Sequence, residues 1–290
     1  MKNIFLIGGS GFLGYYLLKE IKKNNLFCYL NKTKFKDTSL KIVRFNLIDF
    51  KELKKFILKN KINLIINLSS IANVDFCEKN KKHAYNVHVN IPRLLTKASL
   101  LYKLKVIHIS TDHLFDGKIK SSYSEKSNIK PLNYYAKTKS YGEKIIFKNK
   151  ENLIIRTNFF GANKVNYNSF SDEIIFNLKK NPVYLWKDVY FSPIHIKNLC
   201  FIINFLIKKN AKGIYNVSTK KISKYHLGIL IAKKIKLDFK KIIPTHFDSK
   251  KFVNRPRNMS LLNKKLIKRY PNLKKYLLLN AQINLLKKDY

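Results

Sequence analysis

Tyr135 and Lys139 stand four residues apart in a stretch of helical periodicity, so both side chains leave one face of a helix. An ammonium one turn from a phenol favours the phenolate and would draw the tyrosine below its reference pKa of about 10. The pair is therefore a candidate acid/base. A chain with 17 Tyr and abundant Lys produces this spacing by chance, so the weight falls on its surroundings. Upstream, Ile109-Ser110-Thr111-Asp112 closes an apolar run that reads as a strand, and α/β folds present functional groups at strand carboxyl ends. A hydroxyl at Thr111 is placed to hold a carbonyl oxygen beside Tyr135.

A second group of residues suits a different task. Ile4-Phe5-Leu6-Ile7 runs into Gly8-Gly9-Ser10-Gly11-Phe12-Leu13-Gly14 and then into an amphipathic stretch. Glycines at 8, 11 and 14 let the chain turn tightly and let the backbone around Ser10, Phe12 and Leu13 approach a pyrophosphate at the positive end of the following helix. A dinucleotide is the expected ligand.

These residues need a scaffold, and the apolar pattern supplies one. Strands are expected at Asn3 to Ile7, Leu26 to Leu30, Lys41 to Phe45, Leu64 to Leu68, Val106 to Ile109 and Leu153 to Arg156, with helices near 12–23, 50–60, 78–102 and 133–148. Short apolar runs alternating with longer amphipathic ones predict an α/β fold, a Rossmann-like doubly wound parallel sheet. Pro92 should kink or split the third helix. After residue 158 the alternation loosens, so a dinucleotide-binding domain over 1–158 and a smaller C-terminal substrate-binding lobe over 159–290 are expected, with segments of the lobe returning to the cofactor domain.

The segments Ser110-Thr111-Asp112-His113-Leu114-Phe115-Asp116-Gly117 and Pro131-Leu132-Asn133-Tyr134-Tyr135-Ala136-Lys137-Thr138-Lys139, then Gly142-Glu143, are similar in order and spacing to those of dTDP-4-dehydrorhamnose reductases, which are extended short-chain dehydrogenases. The likeness continues through Arg156, Gly161, Ser192-Pro193-Ile194, Gly213 to Ser218 and Arg255-Pro256-Arg257, and so spans about residues 3 to 265.

The resemblance implies a triad in which Thr111 is the hydroxyl member, Tyr135 the acid/base and Lys139 its activator. It implies a nicotinamide cofactor, with Asn46-Leu47 at the adenine and Asn67-Leu68-Ser69-Ser70 alongside. It also implies a nucleotide-sugar substrate met by Thr111, Asp112, His113 and Arg255, with Arg255 and Arg257 as fork-shaped donors to a diphosphate. Where an acidic residue would accept hydrogen bonds from the ribose 2′-OH of NAD, the chain has Asn31-Lys32, so NADP(H) is favoured and NAD(H) is the alternative. Val87-His88-Val89 replaces the Val-Asn-Val of the relatives, and Lys197-Asn198 replaces a polar-acidic pair. His88 and His195 read as structural histidines.

The function so implied is reduction of a 4-keto group on a nucleotide-linked 6-deoxyhexose for surface polysaccharide. Two alternatives remain: an epimerase or dehydratase with the same triad, and a non-catalytic NADP-binding regulatory subunit.

The formal charge of +42 raises a nucleic-acid reading. That charge is nearly all lysine and spread along the chain, which describes a solvated surface rather than a specific nucleic-acid site. Cys28, Cys77 and Cys200 have no metal spacing, and no metal is expected. The run Ile4 to Ile7 is too short for a signal-peptide core and Leu199 to Ile207 too short to span a bilayer, so a cytoplasmic protein without a membrane partner is expected. A homodimer is compatible with this reading.

Overall fold

The computed structural model describes residues 2–21, 24–30, 41–166 and 168–290; Asn31 and Lys32 lie outside the described residues. The first run of elements is β1 (Asn3–Ile7), α1 (Phe12–Ile21), β2 (Asn25–Tyr29), β3 (Lys41–Val43), α2 (Phe50–Lys59), β4 (Leu64–Asn67), α3 (Val74–Lys79), α4 (Lys81–Tyr85), α5 (Ile91–Leu101), β5 (Lys105–Thr111), α6 (Tyr134–Ile146) and β6 (Leu153–Thr157). The second run is β7 (Phe159–Phe160), α7 (Phe170–Leu178), β8 (Val183–Trp186), β9 (Tyr190–Phe191), β10 (Ile194–His195), α8 (Ile196–Lys208), β11 (Gly213–Asn216), β12 (Ile222–Ser223), α9 (Lys224–Lys234), β13 (Ile242–Thr245), α10 (Lys264–Arg269) and α11 (Leu279–Leu285).

Seven strands form one sheet in the order β11-β6-β5-β4-β1-β2-β3. β1 pairs in parallel with β2 and β4, and β4 with β5. Strand order reverses between β1 and β4, the place where doubly wound sheets open a crevice at their carboxyl ends. Ile7 and Asn67 are partners in that register, so the glycine turn and the Leu68–Ser70 loop leave the sheet side by side. The central strands form because most of their residues are apolar and can be buried on both faces; all four residues of β4 are buried.

Helix α2 shows the local logic. Asp49 caps it by accepting from Lys51 N, and Leu53 and Ile57, one turn apart, enter the core. That core includes Phe5, Ile65, Leu95 and Val106. The apolar run from Leu199 to Ile207 forms most of α8, with Leu199, Ile202, Ile203 and Leu206 buried. No helix among the described residues is long and apolar enough to cross a membrane.

The helix expected over 78–102 is corrected to three short α-helices and a π-helical turn at Asn86–Asn90. Pro92 is the physical reason: it has no N–H for the carbonyl of residue 88, and its ring crowds that carbonyl. The turn widens instead, with Ile91 N donating to Asn86 O. Gly142 of α6 receives the displaced carbonyl: a side chain there would place its Cβ 2.1 Å from His88 O.

The chain divides into two compact units of nearly equal length. The first contains residues 1–110, 133–155 and 204–214, and the second 111–132, 156–203 and 215–290. Residues 111–132 join the second unit through backbone pairing: Tyr123 N donates to Ser260 O at 2.8 Å, and Leu262 N to Tyr123 O at 2.8 Å. The core of that unit gathers Phe160, Ile174, Phe191, Leu227, Ile231, Met259 and Ile283.

Candidate active site

The glycine turn is built by backbone packing. Gly8 has φ of +84°, and Gly11 N closes the turn on Gly8 O at 3.2 Å. At Gly14 a Cβ would lie 2.4 Å from Gly8 O and 2.5 Å from Gly9 O, so α1 starts against the bare backbone of the turn. At Gly11 a Cβ would meet only Gly8 O, at 3.5 Å, and Gly11 is exposed. Space above that residue and an α1 first turn without an acidic side chain are what a pyrophosphate requires.

Leu68 follows directly, its N donating to Ile7 O at 2.9 Å, while Ser69 N and Oγ both donate to Asn67 Oδ1. Ser10, Phe12, Leu68 and Ser69 are half-buried, Leu13 is buried and Ser70 is exposed. These residues fit a dinucleotide. Asn46 and Leu47 follow β3: Leu47 is buried, while Asn46 Oδ1 accepts from Ile48 N and Asn46 N donates to Glu52.

The sequence of α6 sets the second part of the site. Asn133 caps the helix through Ala136 N at 2.9 Å. Tyr135, Lys139 and Glu143 then fall one turn apart and are all buried. Lys139 Nζ donates to Ile109 O at 2.8 Å, and Ser110 Oγ donates to Glu143 Oε2 at 2.7 Å. The stripe is thereby fastened to Ile109 and Ser110, the two residues of β5 before its last, Thr111. Burial pushes the Lys139 ammonium down to about 8, and Glu143 opposes that shift.

His88 holds the start of the same helix. Ile71 N donates to His88 Nε2 at 3.0 Å, so that nitrogen carries no proton, and Nδ1 donates to Thr138 Oγ1 at 2.9 Å. Thr138 Oγ1 in turn donates to the carbonyls of Tyr134 and Tyr135. The His88 ring meets the Tyr135 ring edge-on at 5.6 Å. Burial first, and then the Lys139 charge, push His88 down to about 2, so it is neutral.

In the second unit, Thr111 Oγ1 accepts from His113 N at 3.2 Å. Asp112 is buried and accepts from Asn158 Nδ2 at 3.0 Å; burial raises its carboxyl to about 7 despite that bond. His113 is pushed down to about 3, by burial and then by the charges of Lys224 and Arg255. The unit thus gathers Asp112, His113 and Arg255 into one electrostatic neighbourhood with Lys224.

Three contributors, Glu143, Asn158 and Lys224, were not assigned roles from sequence, and Asn67 was placed there only beside the cofactor. Glu143 was findable, because it continues the four-residue spacing of Tyr135 and Lys139. Asn67 ends β4 and meets His108 Nδ1 at 3.1 Å, a cross-strand partnership that no local pattern signals. Asn158 and Lys224 were equally hidden. Among the described residues there is no cluster of three metal-ligating side chains, and the three cysteines are buried thiols.

Known proteins resemble this chain across most of its length. A dTDP-4-dehydrorhamnose reductase from Aggregatibacter actinomycetemcomitans is 30% identical over 161 residues, 55% of this chain and 52% of that enzyme, so that alignment spans about half of either. Methionine adenosyltransferase 2 subunit beta from Bos taurus is 24% identical over 90% of this chain and 80% of that one. A solved dTDP-4-dehydrorhamnose reductase from Bacillus anthracis str. Ames, in complex with NADP, shares the fold with a TM-score of 0.85 at 21% identity, covering 100% of this chain and 99% of the other. Residues 1–276 match the model of the family described as RmlD substrate binding domain, and the chain belongs to that family.

Proposed function

We propose that the protein reduces the 4-keto group of a nucleotide-linked 6-deoxyhexose, with a nicotinamide cofactor held by the glycine turn. The observation that carries this reading is the Tyr135–Lys139–Glu143 stripe bonded to Ile109 and Ser110 at the end of β5.

The backbone of Gly8 to Gly14 would hold the pyrophosphate, and Leu68 to Ser70 would run beside the nicotinamide end. The cofactor supplies a hydride when bound. Thr111 Oγ1 donates a hydrogen bond to the substrate carbonyl oxygen, which orients it and stabilises its developing negative charge. Tyr135 Oη delivers a proton to that oxygen. Lys139, buried and one turn along, stabilises the phenolate left behind. The reaction is tested by following NADPH absorbance with dTDP-, GDP- and UDP-linked 4-keto sugars; one of these should consume NADPH, and no consumption with any of them would reject the reading.

A nicotinamide-binding subunit without turnover is the second reading, raised by the likeness to the bovine subunit over 90% of the chain and not favoured beside the likeness to reductases. Presence of all three triad residues argues for catalysis.

NADP(H) is the expected cofactor form, because Lys32 would meet a 2′-phosphate and no acidic residue there repels it. NADPH should bind about tenfold or more tightly than NADH, as expected for a charge-assisted contact. Calorimetry with the parent and Lys32→Ala checks this: the preference should shrink in the variant, and equal binding of the two cofactors by the parent would remove it.

A further inference from the structure

The sequence offers Arg255 and Arg257 together as donors to a diphosphate. Arg257 is committed within the protein: Nη1 is ion-paired with Asp188, Nη2 donates to Phe247 O at 3.0 Å, and its Cζ lies 4.7 Å from the Phe247 ring centre. Lys224 presents the opposite case. Its Nζ lies 4.7 Å from the Trp186 ring centre and 5.9 Å from that of Phe170, and among the described residues no salt bridge engages it.

Resting on the function proposed above, we infer that Lys224, together with Arg255, forms the anion subsite for the diphosphate of a nucleotide-linked substrate, and that Arg257 does not. Both cations rest on one aromatic cluster. Trp186 packs on Phe247 at 4.9 Å and on Phe252 at 5.4 Å, and Arg255 Cζ lies 5.9 Å from the Phe252 ring centre. The rings exclude water from one side of each charge, which strengthens attraction for an incoming anion. Two like charges so placed repel each other in the free protein, and an anion of two or more charges between them relieves that cost.

The charged groups acting on Lys224 are Arg255, Asp112 and Glu173, while His113, also within electrostatic reach, is neutral. Asp112 directly follows Thr111, so the subsite lies within electrostatic reach of the residues proposed to hold the carbonyl. Burial, then the Arg255 charge, bring the Lys224 ammonium down to about 8. Its positive charge is present below that pH and is lost as pH rises through it, so affinity for a diphosphate declines above about pH 8.

Calorimetric titration with dTDP, with thymidine as the uncharged control, tests the assignment on the parent, Lys224→Met and Lys224→Arg. The methionine variant should bind dTDP about ten- to a hundredfold more weakly, the range for a lost hydrogen bond to a charged group. Its affinity for thymidine and NADPH should be unchanged. Lys224→Arg should restore dTDP binding and remove the decline above about pH 8. Parent-like dTDP binding by Lys224→Met, with the parent active on a sugar nucleotide, would overturn this inference alone. A parent that bound dTDP, GDP and UDP not at all would overturn the substrate class as well.

Discussion

Tyr135→Phe is expected to lower turnover by roughly 10²–10⁴-fold, the range for loss of a general acid, with NADPH affinity nearly unchanged. The substitution deletes one oxygen and keeps the ring that packs edge-on against His88. The Thr138 bonds to the carbonyls of Tyr134 and Tyr135 are made by backbone and persist. A thermal melt close to that of the parent should accompany the loss of activity. Lys139→Ala should behave differently, because it also removes the bond to Ile109 O that fastens α6 to β5. Steady-state kinetics with calorimetry of NADPH separates the two variants, and parent-like turnover by Tyr135→Phe would exclude the tyrosine as proton donor.

The second large effect belongs to Gly14→Ala. The added methyl would lie 2.4 Å from Gly8 O, 2.5 Å from Gly9 O and 2.6 Å from Gly9 C, all of them backbone atoms without a rotamer that could yield. Either α1 moves away or the turn opens. A stability loss of about 2–3 kcal/mol follows by comparison with other overpacked sites, together with loss of cofactor binding. Gly11→Ala provides the contrast, because its methyl would meet only Gly8 O at 3.5 Å, an ordinary contact. That variant should melt like the parent and bind NADPH weakly, since the methyl fills space kept for the pyrophosphate. Denaturant melts and NADPH titration of both variants check the distinction; a parent-like melt for Gly14→Ala would contradict the packing of the turn.

Six of the seven sheet strands were legible because each is a short run rich in apolar residues, and β1 at Asn3–Ile7 ends where the glycines begin; β11, at the sheet edge, was not expected. The acid/base helix was legible for a similar local reason, the four-residue spacing of Tyr135 and Lys139. The π turn at Asn86–Asn90 was not, since five residues are too few to distinguish a wider helical period, although Pro92 marked the place. The placement of 111–132 in the second unit depends on Tyr123 pairing with Ser260 and Leu262, contacts that no neighbouring residue encodes. Lys224 was invisible for yet another reason. In a lysine-rich chain the residue type says nothing about burial, and only the fold sets this ammonium on Trp186.

Reduction itself is tested most directly by quantifying NADPH and product together during turnover of a dTDP-linked 4-keto-6-deoxyhexose. One NADPH should be consumed for each 4-hydroxy sugar nucleotide formed. Conversion of the sugar nucleotide with no net loss of NADPH would contradict the account and assign the same triad to epimerisation or dehydration.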